Sequence, residues 1–148
     1  MTTANAPQNR TRPIALAAWS ATEVILRHSQ AALARIDLTQ PQWWALNTVV
    51  RSEQGLTREE VRAVAVPYGM GPEAIVHAAD ALAHRGWLGM DADGRLTLTE
   101  QGHEGLTTAT EHMDRVHAEF LGDITEEEYA AAVSVLRRIT DNLAQEPS

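Results

Sequence analysis

The sequence predicts a mainly α-helical protein carrying one two-stranded hairpin. Three observations lead there. Apolar residues recur at three- and four-residue spacing through most of the chain, and helix-starting residues (Pro13, Thr39, Thr57, Pro72, Thr99, Thr125) stand in front of those stretches. Short alternating runs occur only at Trp87 to Met90 and Arg95 to Leu98. With 148 residues the chain can bury one ordinary core and has little length for a second.

Each element has a local reason. Residues 1–12 are polar, with Pro7 and Pro13 as punctuation, and are expected to be a disordered lead-in to a single domain over 13–148. From Pro13, the positions Ile14, Ala17, Ala18, Ala21, Val24, Ile25 and His28 trace a helix over about 13–35. Thr39 caps a second, with Pro41 in its first turn, Trp43, Leu46, Val49 and Val50 on its apolar face, and an end near Gly55. Thr57 and Glu60 form a capping box that opens a short third helix, which must stop before Pro67; VPYGMG (66–71) reads as a turn. Pro72 starts a fourth helix faced by Ile75, Ala78, Ala79 and Leu82 and ended by Gly86. Asp91-Ala-Asp-Gly94 then joins the two alternating runs as a hairpin, the only strand signal in the chain.

Thr99 caps a fifth helix in which Leu106, Ala109, Met113, Val116 and Phe120 step by the spacing of a helix–helix seam. Gly122 closes it. Thr125 and Glu128 form a second capping box, before a sixth helix lined by Tyr129, Val133, Leu136, Ile139 or Thr140, and Leu143. Helices at both ends carry more apolar stripe than one small core needs. The excess is best buried against a second copy, so a homodimer is expected.

Composition narrows the chemistry. The formal charge is -8, from 20 acidic and 12 basic residues, and every basic residue is arginine. That balance disfavours broad binding to nucleic acid or anionic lipid, so any DNA contact must be local. The absence of cysteine excludes disulfides, thiolate metal sites and a cysteine nucleophile. No apolar run approaches the roughly 18–20 residues of a membrane span, and the first dozen residues lack the stretch of a secretion signal, so no membrane partner and a cytoplasmic location are expected. Histidines 28, 77, 84, 103, 112 and 117 never pair at i, i+4, so no metal site is expected. His77 and His84 share a helix face and are most simply a solvated surface. There is no GxSxG, Ser-His-Asp signature or glycine-rich phosphate loop, and no cofactor is implied.

Four tryptophans stand against a single phenylalanine. Trp43 and Trp44 are adjacent on one helix and point about 100° apart, so both cannot face one core. Glu23 lies one turn after Trp19, and Asn47 one turn after Trp43. Polar atoms beside each indole suggest a pocket wall; ordinary core packing with polar edges is the plainer reading of any one of them.

The helix order with the hairpin is that of a winged helix-turn-helix lobe (about 39–102) flanked by dimerisation helices (about 13–35 and 103–145). LTQPQWWAL (38–46), GLTREEV (55–61), LAHRGWL (82–88), DADGR (91–95) and LTEQG (98–102) resemble, in order and spacing, the MarR family of ligand-responsive bacterial transcription regulators. The resemblance implies a two-fold dimer, a fourth helix that enters the DNA major groove, and a wing that sends an arginine toward the minor groove. It also implies a crevice for a small aromatic or polycyclic ligand between the dimer helices and the lobe. On that basis Arg58, Arg62, His77, Arg85 and Arg95 are the candidate contacts to double-stranded DNA. Trp19, Glu23, Trp43, Trp44, Asn47, His112 and Met113 are the candidate ligand contacts.

Charge sets a second expectation beside the first. Between Leu56 and Gly102 lie four basic residues (Arg58, Arg62, Arg85, Arg95) and seven acidic ones (Glu59, Glu60, Glu73, Asp80, Asp91, Asp93, Glu100), a net -3 on the lobe that should meet phosphate. The family usually carries Ser or Thr at the start of the reading helix and Arg or Lys midway; the matching positions are Gly71 to Ala74 and His77. The alternative is therefore a protein of this fold that has lost operator binding. It would work as a small-molecule binder, or as a cofactor-free enzyme of isomerase, cyclase or dehydratase type, with Glu23, His28 and His112 exchanging protons with a bound carbonyl or enol.

Overall fold

The computed structural model describes residues 13–66 and 71–144. Six helices and three strands occur among the described residues: α1 (Ile14–Ala34), α2 (Gln40–Val50), β1 (Leu56–Thr57), α3 (Arg58–Ala65), α4 (Pro72–His84), β2 (Leu88–Met90), β3 (Arg95–Leu98), α5 (Glu100–Leu121) and α6 (Glu126–Ala144). The expected lead-in 1–12 and residues 67–70 of the expected turn lie outside the described residues. The chain divides into two compact units, one up to Met113 and one from Asp114 onward.

The helix starts follow from capping chemistry. Thr39, Thr57 and Thr125 each accept the backbone N–H three residues on, and Gln42, Glu60 and Glu128 reach back to the cap's own N–H, so two orphan donors are satisfied at each start. Two exits share another device. The Leu38 N–H donates to Leu33 O across Asp37 (φ 57), and the Trp87 N–H donates to Leu82 O across Gly86 (φ 86). A left-handed residue lets the chain turn back on the last helical carbonyls. At the first exit an aspartate holds the place usually given to glycine, and it is the only described non-glycine residue with positive φ. Helix α2 ends at Val50, a turn earlier than the expected Gly55.

The sheet corrects one expectation. Beside the hairpin β2–β3, a third strand, β1, pairs antiparallel with β3, giving the order β1-β3-β2. With two residues, β1 is too short to show alternation, and Thr57 is read first as a helix cap. Gly55 (φ 82) makes the pairing possible: a Cβ there would sit 2.5 Å from Leu96 O.

One core serves the first unit. Leu33 at the end of α1, Leu38 in the turn after it, Leu46 and Val49 of α2, Val61 of α3, Ile75 and Leu82 of α4, Leu88 and Leu96 of the sheet, and Leu106 of α5 are all buried in it. Helix α5 comes close because two of its residues lack a Cβ: one at Gly102 would strike the Trp87 carbonyl, and one at Gly105 the Trp87 indole.

Candidate functional site

The candidate DNA contacts sit on α3, α4 and β3, and their arginines are already occupied. Arg58 Nη2 donates to Asp80 Oδ2 at 2.8 Å. Arg62 Nε donates to Glu73 Oε1 at 3.0 Å, and its Nη1 to Glu59. Both arginines thus bridge from α3 to α4. Arg95 Nη1 donates to Gly55 O at 3.1 Å and Glu60 Oε1 at 3.2 Å, so β3 is tied to the start of α3. Arg85 lies apart from these three, at the far end of α4. It donates to Asp37 O at 2.7 Å, and its guanidinium carbon stands 4.4 Å from the Trp87 ring centroid.

These contacts stabilise the charged forms of two groups. Hydrogen bonds to Glu59 and then Glu73 raise the Arg62 pKa above its ordinary value. The Glu60 carboxyl is held below the usual range, first by the Thr57 N–H, then by the Thr57 hydroxyl, with Arg95 adding to both. The outer face of α4 presents Glu73, His77, Asp80 and His84, spaced four, three and four residues apart and all exposed. That stripe carries two carboxylates and no arginine.

The candidate ligand residues separate into groups. Trp43, Trp44 and Asn47 line one groove of about 310 Å³ with Thr48 and Arg51. That is the small end of the roughly 300–1,000 Å³ usual for ligand sites. Asn47 Nδ2 donates to Trp43 O at 2.8 Å, leaving the amide oxygen as the polar end of that side chain. Arg51 was not singled out from the sequence, although it stands one turn beyond Asn47 and two beyond Trp44. Trp19 and Glu23 are exposed on α1, outside this groove.

His112 is partly buried, and its Nε2 donates to Ala32 O at 2.9 Å, fastening α5 to the end of α1. Met113 packs against the core. Within one chain the three proposed proton-transfer groups are not gathered. Glu23 and His28 are exposed, and Glu23 lies nine residues, roughly 13 Å along the helix axis, before the carbonyl that His112 holds.

A second hollow of about 330 Å³ escaped the sequence reading. Ile36, Leu38, Trp87, Gln101, Glu104 and Thr108 are among its walls. Its signal is the pair Gly102 and Gly105, which lets Trp87 lie against α5. Among the described residues no cluster of His, Cys, Asp and Glu could hold a metal ion, and no helix is long and apolar enough to cross a membrane.

No protein-family profile matches this chain, and no curated protein matches it. Solved structures do. A MarR family transcriptional regulator from Silicibacter pomeroyi shares 20% identity at a TM-score of 0.73, over 93% of this chain and 96% of that one. CouR from Rhodococcus jostii, solved with p-coumaroyl-CoA, shares 21% identity at a TM-score of 0.69, over 93% and 96%. A MarR family protein from Mycobacterium tuberculosis, solved with DNA, shares 20% identity at a TM-score of 0.68, over 86% and 97%. At these identities the likeness is one of fold.

Proposed function

We propose that this chain, which has the winged helix fold of MarR-family structures, is a homodimeric ligand-responsive transcription regulator acting in the cytoplasm. The observation that carries the proposal is the complete winged lobe, α2 to β3, in a fold shared over most of the chain with a protein solved on DNA. In this reading α4 enters the major groove and the hairpin follows the backbone. The groove under Trp43 and Trp44 takes a small aromatic ligand, as the binding of p-coumaroyl-CoA by CouR suggests for a related scaffold. A ligand acts by preferring one spacing of the two lobes; only that difference in affinity changes DNA occupancy. The test is selection of duplexes from a random pool by the full chain at low salt. An enriched half-site repeated at a helical-turn spacing supports the regulator, and recovery of the unselected pool refutes it.

One observation favours a second reading. Each arginine between Leu56 and Gly102 already has a partner within the chain, and the lobe remains net negative. On this reading the protein binds a small molecule and no operator. Quenching of tryptophan fluorescence by aromatic ligands, with no duplex enriched, is its expected signature.

A further inference from the structure

Duplex affinity arises when arginine or lysine replaces the condensed counterions of phosphate. On α3 the cations are Arg58 and Arg62, and both reach across to α4, to Asp80 at 2.8 Å and Glu73 at 3.0 Å; Arg62 also holds Glu59 of its own helix. A carboxylate oxygen at that distance stands where a phosphate oxygen would stand. The same two carboxylates belong to the exposed stripe of α4, so they neutralise the cations of one helix and put negative charge on the next. All four side chains are at least a third exposed, which makes the pairs weak and open to exchange. A phosphate that takes either arginine must displace a carboxylate and then lie beside it.

We propose that Glu73 and Asp80 are intramolecular competitors for DNA phosphate, and that by holding Arg62 and Arg58 they set the affinity of the reading face. This rests on the regulator reading for its biological use, while its physics is testable on any duplex. The consequence is a lobe with little affinity for generic DNA, in which a correct site must supply contacts beyond phosphate. Arg85 falls outside this mechanism because its partner is a backbone carbonyl.

The experiment compares the full wild-type chain with E73Q/D80N on a random-sequence 24-base-pair duplex, by fluorescence anisotropy between 25 and 200 mM salt. E73Q/D80N is expected to bind at least about tenfold more tightly at the lowest salt. Its plot of log affinity against log salt should steepen by about 0.9 per protomer for Arg58 transferred to phosphate, and by up to about as much again for Arg62, which must also give up Glu59. A control, E53Q/E100Q, removes the same charge from residues that hold no arginine among the described contacts, and should gain far less. Adding R58Q/R62Q to E73Q/D80N should erase the gain. Unchanged affinity and slope in E73Q/D80N, an equal gain in the control, or a gain that survives loss of both arginines overturns the proposal. Pool selection with wild type separates the two inferences. An operator enriched by wild type with no effect of E73Q/D80N sinks only the competitor model; a gain by E73Q/D80N with nothing enriched sinks only the regulator.

Discussion

Helices α4 and α6 carry apolar residues at the same helical spacing, and they end differently. In α4, 13 residues bury Ile75, Val76, Ala78, Ala79 and Leu82. In α6, 19 residues bury none, and Leu136 and Leu143 are 43% and 62% exposed. Helix α1 resembles α6 here: of 21 residues only Ala32 and Leu33 are buried, and Leu16, Trp19 and Val24 are all more than 60% exposed. The winged lobe thus completes its core within one chain, whereas α6 and most of α1 keep apolar side chains exposed. Exposed apolar stripes of that length are what the proposed homodimer would cover.

The strongest test of this contrast makes the same substitution in both regions. Leu82 is fully buried, so Leu82→Ala should cost about 2–5 kcal/mol of unfolding free energy, read by urea denaturation. Leu143→Ala should leave the unfolding of a dilute sample nearly unchanged. A comparable loss from both would erase the distinction. Next in size is Gly105→Ala, whose new methyl meets the Trp87 indole; overpacking of about 1–3 kcal/mol is expected, with blue-shifted or weakened tryptophan emission as the indole moves. Third, L136E/L143E should raise the dimer dissociation constant more than tenfold, about 1.4 kcal/mol, by sedimentation velocity, with the helical content retained. Wild type that sediments as a monomer at tens of micromolar would refute the homodimer directly.

The lobe was legible in the sequence where its chemistry is local. Threonine with a glutamate three residues on announces a helix start whatever surrounds it, as Thr57 and Thr125 show. The apolar face of α4 was likewise visible from spacing alone. Strand β1 was not, because two residues carry no period and their partner, β3, lies about 40 positions away. Net charge could be counted in advance, but its arrangement could not: Arg58–Asp80 and Arg95–Glu60 join residues 22 and 35 positions apart. For the same reason the sequence could name Glu23, His28 and His112 only as candidates, with no view of the contact between the His112 ring and the Ala32 carbonyl. That Trp43 and Asn47 share a groove was readable because they lie one turn apart on one helix; Arg51 lies one further turn along, beyond where that pattern was followed.

The smallest expected effect compares the two capping boxes. Glu60 in the lobe and Glu128 at the start of α6 both have carboxyls held below the ordinary 4.5, by the N–H and hydroxyl of the preceding threonine, but Glu60 alone also faces Arg95. A depressed folded-state pKa means that the stabilisation is fully present above 4.5 and is lost as pH falls through the lower folded value. Acid should therefore weaken the starts of α3 and α6 only below about pH 4.5, and not between pH 5 and 8. Carboxyl titrations followed by NMR should place both below free glutamate. Arg95→Gln should raise the Glu60 titration and leave that of Glu128 where it was. Equal movement of both would mean that the arginine acts through bulk charge, and no movement of Glu60 would mean that the Arg95–Glu60 contact does not persist in solution.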